Sequence, residues 1–247
     1  MQPSSMPSAI RAFGRVEDLD LEFTSADRPN LVTQLLAQCA GGDVEYWWTQ
    51  PAGTRIAELL HLFVFSERTD HLELSARCLR AECGVTFGFE LPLGEVASRA
   101  PRDESWEIVL PDDRRVRLRA PTGSDLRRWR SAAPATREQA RRMMLDDLVV
   151  HGRFEASDVA AIANALLECD PLVAFTVTAE CPGCGHAQEV AVDVEGLVLM
   201  HLGSRQRALI HDVHRLATHY GWTEPQVLAV PPQRRAVYLA LLDREAG

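Results

Sequence analysis

The chain has 247 residues, and its 26 basic and 35 acidic side chains give a formal net charge of -9 at pH 7. Apolar residues make up 46% and charged residues 25%, which excludes an intrinsically disordered or collagen-like chain. The acidic balance also argues against non-specific binding to nucleic acid, because such binding depends on neutralising phosphates. We expect one large domain or two of about 100–120 residues.

The sequence predicts neither a membrane span nor a secretory leader. No stretch approaches the ~20 uninterrupted apolar residues that cross a bilayer. The first residues, MQPSSMPSAIRAF, lack a basic start followed by an apolar run and a small-residue cleavage site. We therefore predict a cytoplasmic protein.

Charge is distributed unevenly along the chain. Residues 99–142 carry 12 Arg and 7 acidic residues, whereas residues 143–200 carry 1 Arg and 10 acidic residues. One interpretation is two solvated faces of opposite sign. The other is docking or self-association between complementary patches.

In chain order, residues 1–100 predict a first α+β module. Hydrophobic periodicity indicates a strand and two helices, over residues 20–23, 31–39 and 55–63. Alternating apolar and polar residues then predict a β-hairpin in LELSARCLRAECGVTFGFELPLGEV, residues 72–96, with Cys78 and Cys83 at its turn. This order of elements predicts a small, hairpin-containing unit.

Residues 101–200 predict a second, related α+β module. A strand and two helices are expected, over residues 115–119, 137–149 and 157–167. Asp125 or Ser124 is expected to cap a further helix, and Ser157 the last one. The segment FTVTAECPGCGHAQEVAVDVEGLV repeats the first hairpin, and the two Cys-Gly pairs lie 101 residues apart. The repeat indicates a duplication, and chance similarity between two hairpins is the alternative.

Residues 201–247 predict a helical tail. Helical periodicity runs through residues 202–220 and should stop at Gly221. Thr223 and Pro225 predict the start of a short helix. A last helix is expected over residues 232–243, with three apolar side chains buried: Val237, Leu241 and Leu242.

The six cysteines are the strongest chemical signal. The segment Cys181-Pro-Gly-Cys184-Gly185 has the spacing of a zinc knuckle, a tight turn that directs two thiolates at one metal. The pair Cys78 and Cys83 can supply the other two ligands of a tetrahedral site. We predict one zinc site built from all four, in which the metal clamps the two modules together and contributes folding free energy.

Other interpretations of the cysteines are open at this point. The second pair could bind zinc with His186, or both pairs could be a former metal site. A disulfide is disfavoured in a cytoplasmic protein, and a thioredoxin-like pair is disfavoured because a strand pattern follows Cys184. Cys39 and Cys169 lie in apolar helical patterns, so we expect both to be buried core thiols.

No catalytic motif is present in the sequence. A Gly-rich phosphate loop, GxSxG and HExxH are all absent, so we predict no enzymatic activity. The aromatic cluster Tyr46-Trp47-Trp48 is either a core anchor or an interface hot spot. The arginines around Trp129 form either a solvated helix face or a patch for an acidic partner or nucleic acid: Arg127, Arg128 and Arg130.

From about Val109 onward the sequence resembles a known family. Three stretches carry the resemblance: LPDDRRVRLRAPTGSDLRRW, VTAECPGCGHAQEVAVDVEGLVL and IHDVHRLATHYGWTEPQVLAVPPQRRAVYLALL. They are similar to the T4-type baseplate hub assembly family, whose members are encoded beside contractile phage tails and related bacterial injection systems. The resemblance covers roughly the last 140 residues, and the N-terminal module matches less clearly.

The resemblance implies a role in baseplate assembly, as a chaperone or as a permanent part of the tail-like particle, and it implies no catalytic residues. We expect a structural zinc, docking to baseplate or hub proteins, and no membrane or small-molecule partner. The expected partner-binding residues lie in the helical tail: Trp222, Arg234, Arg235 and Tyr238. The alternative is a nucleic-acid-binding zinc-ribbon protein that uses the Arg-rich segment 114–142.

Overall fold

The computed structural model describes residues 10–103, 105–111, 113–132 and 134–245. These residues form helices and small antiparallel sheets, which confirms the α+β class. Residues 1–9, part of the N-terminal segment that lacks the pattern of a secretory leader, lie outside the described ranges. Within those ranges, no helix combines the length and apolar character needed to cross a bilayer.

The elements follow one another in three groups along the chain. The first group is α1 (Arg28–Cys39), α2 (Val44–Thr49), α3 (Ala52–Glu67), β1 (His71–Arg77), β2 (Thr86–Pro92) and α4 (Leu93–Ala97). The second is β3 (Ser105–Val109), β4 (Arg115–Arg119), α5 (Gly123–Ala132), α6 (Arg137–Leu148), β5 (Val149–His151) and α7 (Val159–Cys169). The third is β6 (Thr176–Glu180), β7 (Ala187–Ala191), α8 (Val194–Tyr220), α9 (Glu224–Ala229) and α10 (Pro232–Glu245).

The strands of the described residues form two hairpins and one three-stranded sheet, all antiparallel. Strand β1 pairs with β2, and β6 pairs with β7. The sheet has the order β3-β4-β5 and packs its apolar face, including Val116 and Leu118, against α6 and α7. Each hairpin therefore stands alone as a two-stranded unit that needs a neighbour to bury its apolar face.

The main hydrophobic core draws on residues from both proposed modules. Helices α1, α3 and α4 pack with the first half of α8, and Leu172, Phe175 and Val192 join the same cluster. Helix α8 runs through residue 200, where we expect the second module to end. The division into modules stays a prediction, although the core itself is shared.

Helix α8 begins eight residues earlier than the sequence predicts. The Asp193 carboxylate accepts a hydrogen bond from the Gly196 N–H at 2.9 Å, which caps the helix at Val194. Val198 and Leu202 then recur at helical spacing and are buried. The alternating run after Cys184 forms strand β7, as predicted, and the helix begins three residues after that strand ends.

Three other expectations are wrong. Residues 20–23, predicted as a strand, form none: Asp20 ends a 3-10 helix, Val16–Asp20, and residues 21–23 lie in a loop. The buried Asp18 carboxylate stabilises that helix by accepting N–H bonds from Gly14 and Arg15. Ser157 caps no helix, because it lies inside the 3-10 turn Ala156–Asp158 that precedes α7. Along α10, Val237 and Leu241 are 58% and 40% exposed, because the helix packs through one narrow face that buries Leu242.

Several local predictions are confirmed. Strand β4 has the predicted bounds, and α1, α3 and α6 contain or nearly match the predicted helices. Gly221 ends α8 in the left-handed conformation, with φ of 68°. Thr223 starts α9 in a capping box with Gln226. The cap predicted for α5 is wrong, because Ser124 and Asp125 both lie inside this helix, which begins at Gly123. There the Asp125 carboxylate accepts from the Thr122 N–H at 2.8 Å, and the Ser124 hydroxyl donates to the Trp48 carbonyl.

Candidate metal centre

The turns of the two hairpins bring four cysteines together. Their sulfur atoms all lie within 4.8 Å of one another, and they come from Cys78, Cys83, Cys181 and Cys184. Two of the separations run between hairpins, with 3.7 Å from Cys78 to Cys184 and 3.8 Å from Cys83 to Cys181. Two pairs that are about 100 positions apart in sequence therefore form one cluster.

The sulfur separations fit one tetrahedral metal ion. Metal–sulfur bonds of about 2.3 Å place the sulfur atoms of a tetrahedral site about 3.8 Å apart. The two separations between hairpins match this value, and they are far longer than the ~2.05 Å of a disulfide bond. The four thiols are therefore close enough to share a metal without forming a disulfide.

The two turns have the same backbone geometry. In each, the second cysteine and the glycine after it donate N–H bonds to one carbonyl oxygen, that of Arg80 in the first turn and of Cys181 in the second. Gly84 and Gly185 follow with φ of 57° and 67°, a left-handed conformation that favours glycine. This explains why a Cys-Gly pair occurs in both turns.

Backbone N–H groups point at three of the four sulfur atoms. The donors each lie two residues after their cysteine, at Arg80, Val85 and His186. The N–H of His186 lowers the pKa of the Cys184 thiol to about 7, whereas burial raises the pKa of the Cys78 thiol to about 12. Because metal binding requires thiolates, these N–H groups favour the form that coordinates.

The cluster is partly enclosed by the hairpins themselves. Cys78 and Cys181 are buried and Cys83 and Cys184 are half-buried. Phe87 of β2 and Ala179 of β6 complete a small hydrophobic cluster around the sulfurs. Among the described residues, His186 is not part of the group of side chains close enough to share an ion.

Gln188 is a site residue that the sequence analysis missed. This β7 side chain is 7% exposed and reaches across to the first hairpin. Its Oε1 accepts from the Leu79 N–H at 2.8 Å, and its Nε2 donates to the Arg77 carbonyl at 3.0 Å. The available signal was a glutamine that shares a strand face with Val190 in the alternating run, where an apolar residue is expected.

The remaining two cysteines lie elsewhere. Cys39 is 1% exposed, as predicted, and burial raises the pKa of its thiol to about 12. Cys169 is only half-buried at the end of α7, so the prediction of a core thiol is too strong there. Neither belongs to the four-sulfur cluster.

The expected partner-binding residues of the tail fall into different environments. Trp222 stacks on Tyr220 with ring centroids 4.8 Å apart, and Tyr238 meets Trp222 edge to face at 5.3 Å. Arg234 is exposed on α10. Arg235 is only 7% exposed and lies 3.3 Å from the Asp212 carboxylate, so its charge is occupied within the chain.

The members of the aromatic and arginine clusters also occupy different environments. Trp47 and Trp48 are 1% and 5% exposed, which favours the core-anchor interpretation for both. Trp129 is buried and donates to the Asp147 carboxylate at 2.6 Å. Arg127 lies over the Trp48 ring, and Arg128 contacts the carboxylates of Asp125 and Asp147.

No protein-family model matches this chain, and comparison with curated proteins and with solved structures finds no match either.

Proposed function

We propose that this protein is a non-enzymatic assembly or structural component of the baseplate of a contractile, phage tail-like injection system. A structural zinc ion holds its two hairpins together, and the protein acts by docking to baseplate or hub proteins. The observation that supports a structural role is the cluster of four thiols within 4.8 Å. Four thiolates fill a tetrahedral site and leave no position for water or substrate.

Zinc is the metal that best fits this donor set. Soft thiolate ligands in tetrahedral geometry select zinc or iron, and zinc has no redox chemistry and no preference among geometries. Paired Cys-x2–4-Cys spacings are typical of structural zinc sites. A purified protein with bound iron would be coloured, whereas the zinc form is colourless, so absorption spectroscopy separates the two.

The assignment to a baseplate rests on the sequence resemblance, and the helical tail supplies a surface suited to docking. Arg234, Val237 and Leu241 are exposed at positions 234, 237 and 241, a spacing that places them on one side of α10. Tyr238 and Trp222 lie half-buried in the aromatic cluster at the base of this helix. A baseplate subunit that covers this side would bury the two exposed apolar side chains.

The proposal is tested by removing the protein from its particle. Without the chain, electron microscopy should show tubes or sheaths that lack baseplates, and the wild-type chain should restore complete particles. Val237→Asp should fail to restore them, whereas Ala236→Asp, which places the same charge on another exposed side of α10, should succeed. Complete baseplates in the absence of the chain would overturn the proposal, as would a gene neighbourhood without sheath, tube or baseplate genes.

The nucleic-acid alternative is less well supported, because many arginines of segment 114–142 are already paired. Arg114 contacts Asp158, Arg119 contacts Asp125, and Arg128 contacts Asp147. These pairs reduce the positive charge available to phosphates. A gel-shift assay at increasing salt tests the alternative, which requires affinity that falls steeply as salt rises.

A further inference from the structure

The polar face of the three-stranded sheet forms one side of an open cleft. The cleft has a volume of about 920 Å³ and lies between this face and the loop that joins α2 to α3. Val116 and Leu118 of β4 point into the core, so the alternating residues Arg115, Arg117 and Arg119 line the cleft. One strand therefore presents three guanidinium groups to the same open space.

The three arginines differ in how far the chain already occupies them. Arg119 binds the Asp125 carboxylate with two hydrogen bonds, and although burial alone would raise the pKa of Asp125, bonds from Arg119 and Thr122 lower it to about 2. Arg115 contacts Glu107 at 2.8 Å, but both side chains are more than half exposed, so this pair is weak. Arg119 is thus committed, and Arg115 is only loosely held.

Arg117 is the available cation of the cleft. Its Nε and Nη2 atoms donate to the Ser105 hydroxyl at 3.2 and 3.0 Å. Glu107 lies opposite Arg117 on β3, but among the described residues its carboxylate forms an ion pair with Arg115 and not with Arg117. A neutral hydroxyl holds the guanidinium in place without neutralising its charge. His151 of β5, directly across the sheet from Arg117, lines the same cleft.

We propose that this cleft binds an extended acidic peptide segment of a partner protein, with Arg117 as the central contact and Arg115 beside it. Alternate residues of a strand are about 6.8 Å apart, and alternate side chains of an extended peptide have the same spacing. Carboxylates at every second position of such a peptide therefore match the arginines of β4. Planar guanidinium groups bind carboxylates with two parallel hydrogen bonds.

The composition of the cleft favours a peptide over other anions. Glu107 lines the cleft beside the arginines and opposes any anion, so the cleft favours a ligand with separated carboxylates over a backbone that carries a charge at every unit. Small-molecule pockets are mostly apolar and enclosed, whereas this cleft is open and its walls carry polar side chains such as Thr49 and Gln50. The inference goes beyond the baseplate proposal, because it concerns a surface built from other elements than the metal centre.

Fluorescence anisotropy with the full, metal-loaded chain tests this inference. The probes are a labelled short peptide of alternating Glu and Thr, its alternating Gln and Thr counterpart, and a thymidine oligonucleotide. The acidic peptide should bind, and Arg117→Gln should weaken it by about tenfold or more, since a charged hydrogen-bonded pair is lost. Arg141→Gln removes the same charge from an exposed position of α6 outside the cleft and should change little.

Arg117 is exposed, so the variant should keep the wild-type melting temperature, and this is measured alongside. Three results would overturn the inference. These are no binding of the acidic peptide to the wild-type chain, an equal loss in Arg117→Gln and Arg141→Gln, or tighter binding of the oligonucleotide than of the peptide.

Discussion

The main hydrophobic core and the contact between the two hairpins are stabilised in different ways. Among the residues that the structure describes, the main core buries 28 apolar residues in one continuous cluster, whereas the hairpin contact buries four, two of which are cysteines. Burial of a large apolar side chain contributes about 1.5–3 kcal/mol, so apolar burial stabilises the core strongly and the hairpin contact only slightly. The contact between the hairpins therefore depends on interactions other than apolar burial, although Leu72 and Leu91 of the first hairpin also belong to the main core.

The difference shows what the cysteines and Gln188 contribute. Isolated two-stranded hairpins are marginally stable in water. Here four thiols and one buried glutamine replace the missing apolar surface, and both connect residues about 100 positions apart. A metal held by both hairpins would convert its binding free energy into stability of this contact.

Metal removal should have the largest effect on stability, and it should weaken the hairpin contact rather than the main core. Chelation should release the hairpins from each other while α3 and the main core stay folded. With free metal at a thousand times Kd, the stabilisation that is lost amounts to about 4 kcal/mol. Hydrogen exchange measures this directly, with faster exchange expected in β1, β2, β6 and β7 than in α3. Equal loss of protection in the hairpins and in α3 would contradict a metal that stabilises the hairpin contact alone.

Gly123→Ala should destabilise the main core rather than the hairpin contact. A Cβ atom at this position would lie 2.2 Å from Arg55 Nη1 and 3.2 Å from the Trp47 carbonyl oxygen. Arg55 is 1% exposed and donates to the carbonyls of Trp47 and Pro29, so it cannot move away freely. We expect a loss of about 1–3 kcal/mol in unfolding free energy, measured by chemical denaturation.

The matched control is Gly94→Ala in α4, where an added Cβ would meet no atom of the described residues within 4 Å. This variant should keep wild-type stability or gain slightly, because alanine favours helix. Metal content should be unchanged in both variants. A Gly123→Ala protein that is as stable as wild type would contradict the packing around Arg55.

Gln188→Ala should have a smaller effect, confined to the hairpin contact. It removes two hydrogen bonds and leaves the Leu79 N–H without its partner, which costs about 1–2 kcal/mol. Loss of such a supporting contact weakens metal affinity by about tenfold or more, which competition with a chromophoric chelator measures. Glu189→Ala changes the exposed neighbour on the same strand and should leave the affinity unchanged.

The sequence predicted the features that depend on local spacing. The Cys-x4-Cys and Cys-x2-Cys turns, strand β4 and the stop at Gly221 all follow from residues within a few positions of one another. The start of α8 was missed because Val-Ala-Val-Asp-Val alternates like a strand until the Asp193 cap is recognised. The Asp193 cap overrides the strand-like alternation and starts the helix at Val194.

Features that need distant segments were beyond the sequence. The alternating arginines of β4 are visible in RVRLR, but the opposite wall of the cleft comes from residues 49–51. The exposure of Val237 and Leu241 depends on how narrowly α10 packs on α8. Arg235 likewise looked free until Asp212 of α8 was placed beside it.

Metal content tests the shared four-cysteine site most directly. Mass spectrometry of the intact, reduced protein should find one zinc ion per wild-type chain. Cys78→Ser and Cys181→Ser should each lose it, because each removes one sulfur of the same tetrahedron. Zinc retained in Cys78→Ser, or no metal in freshly purified wild type, would contradict a single site shared by the two hairpins.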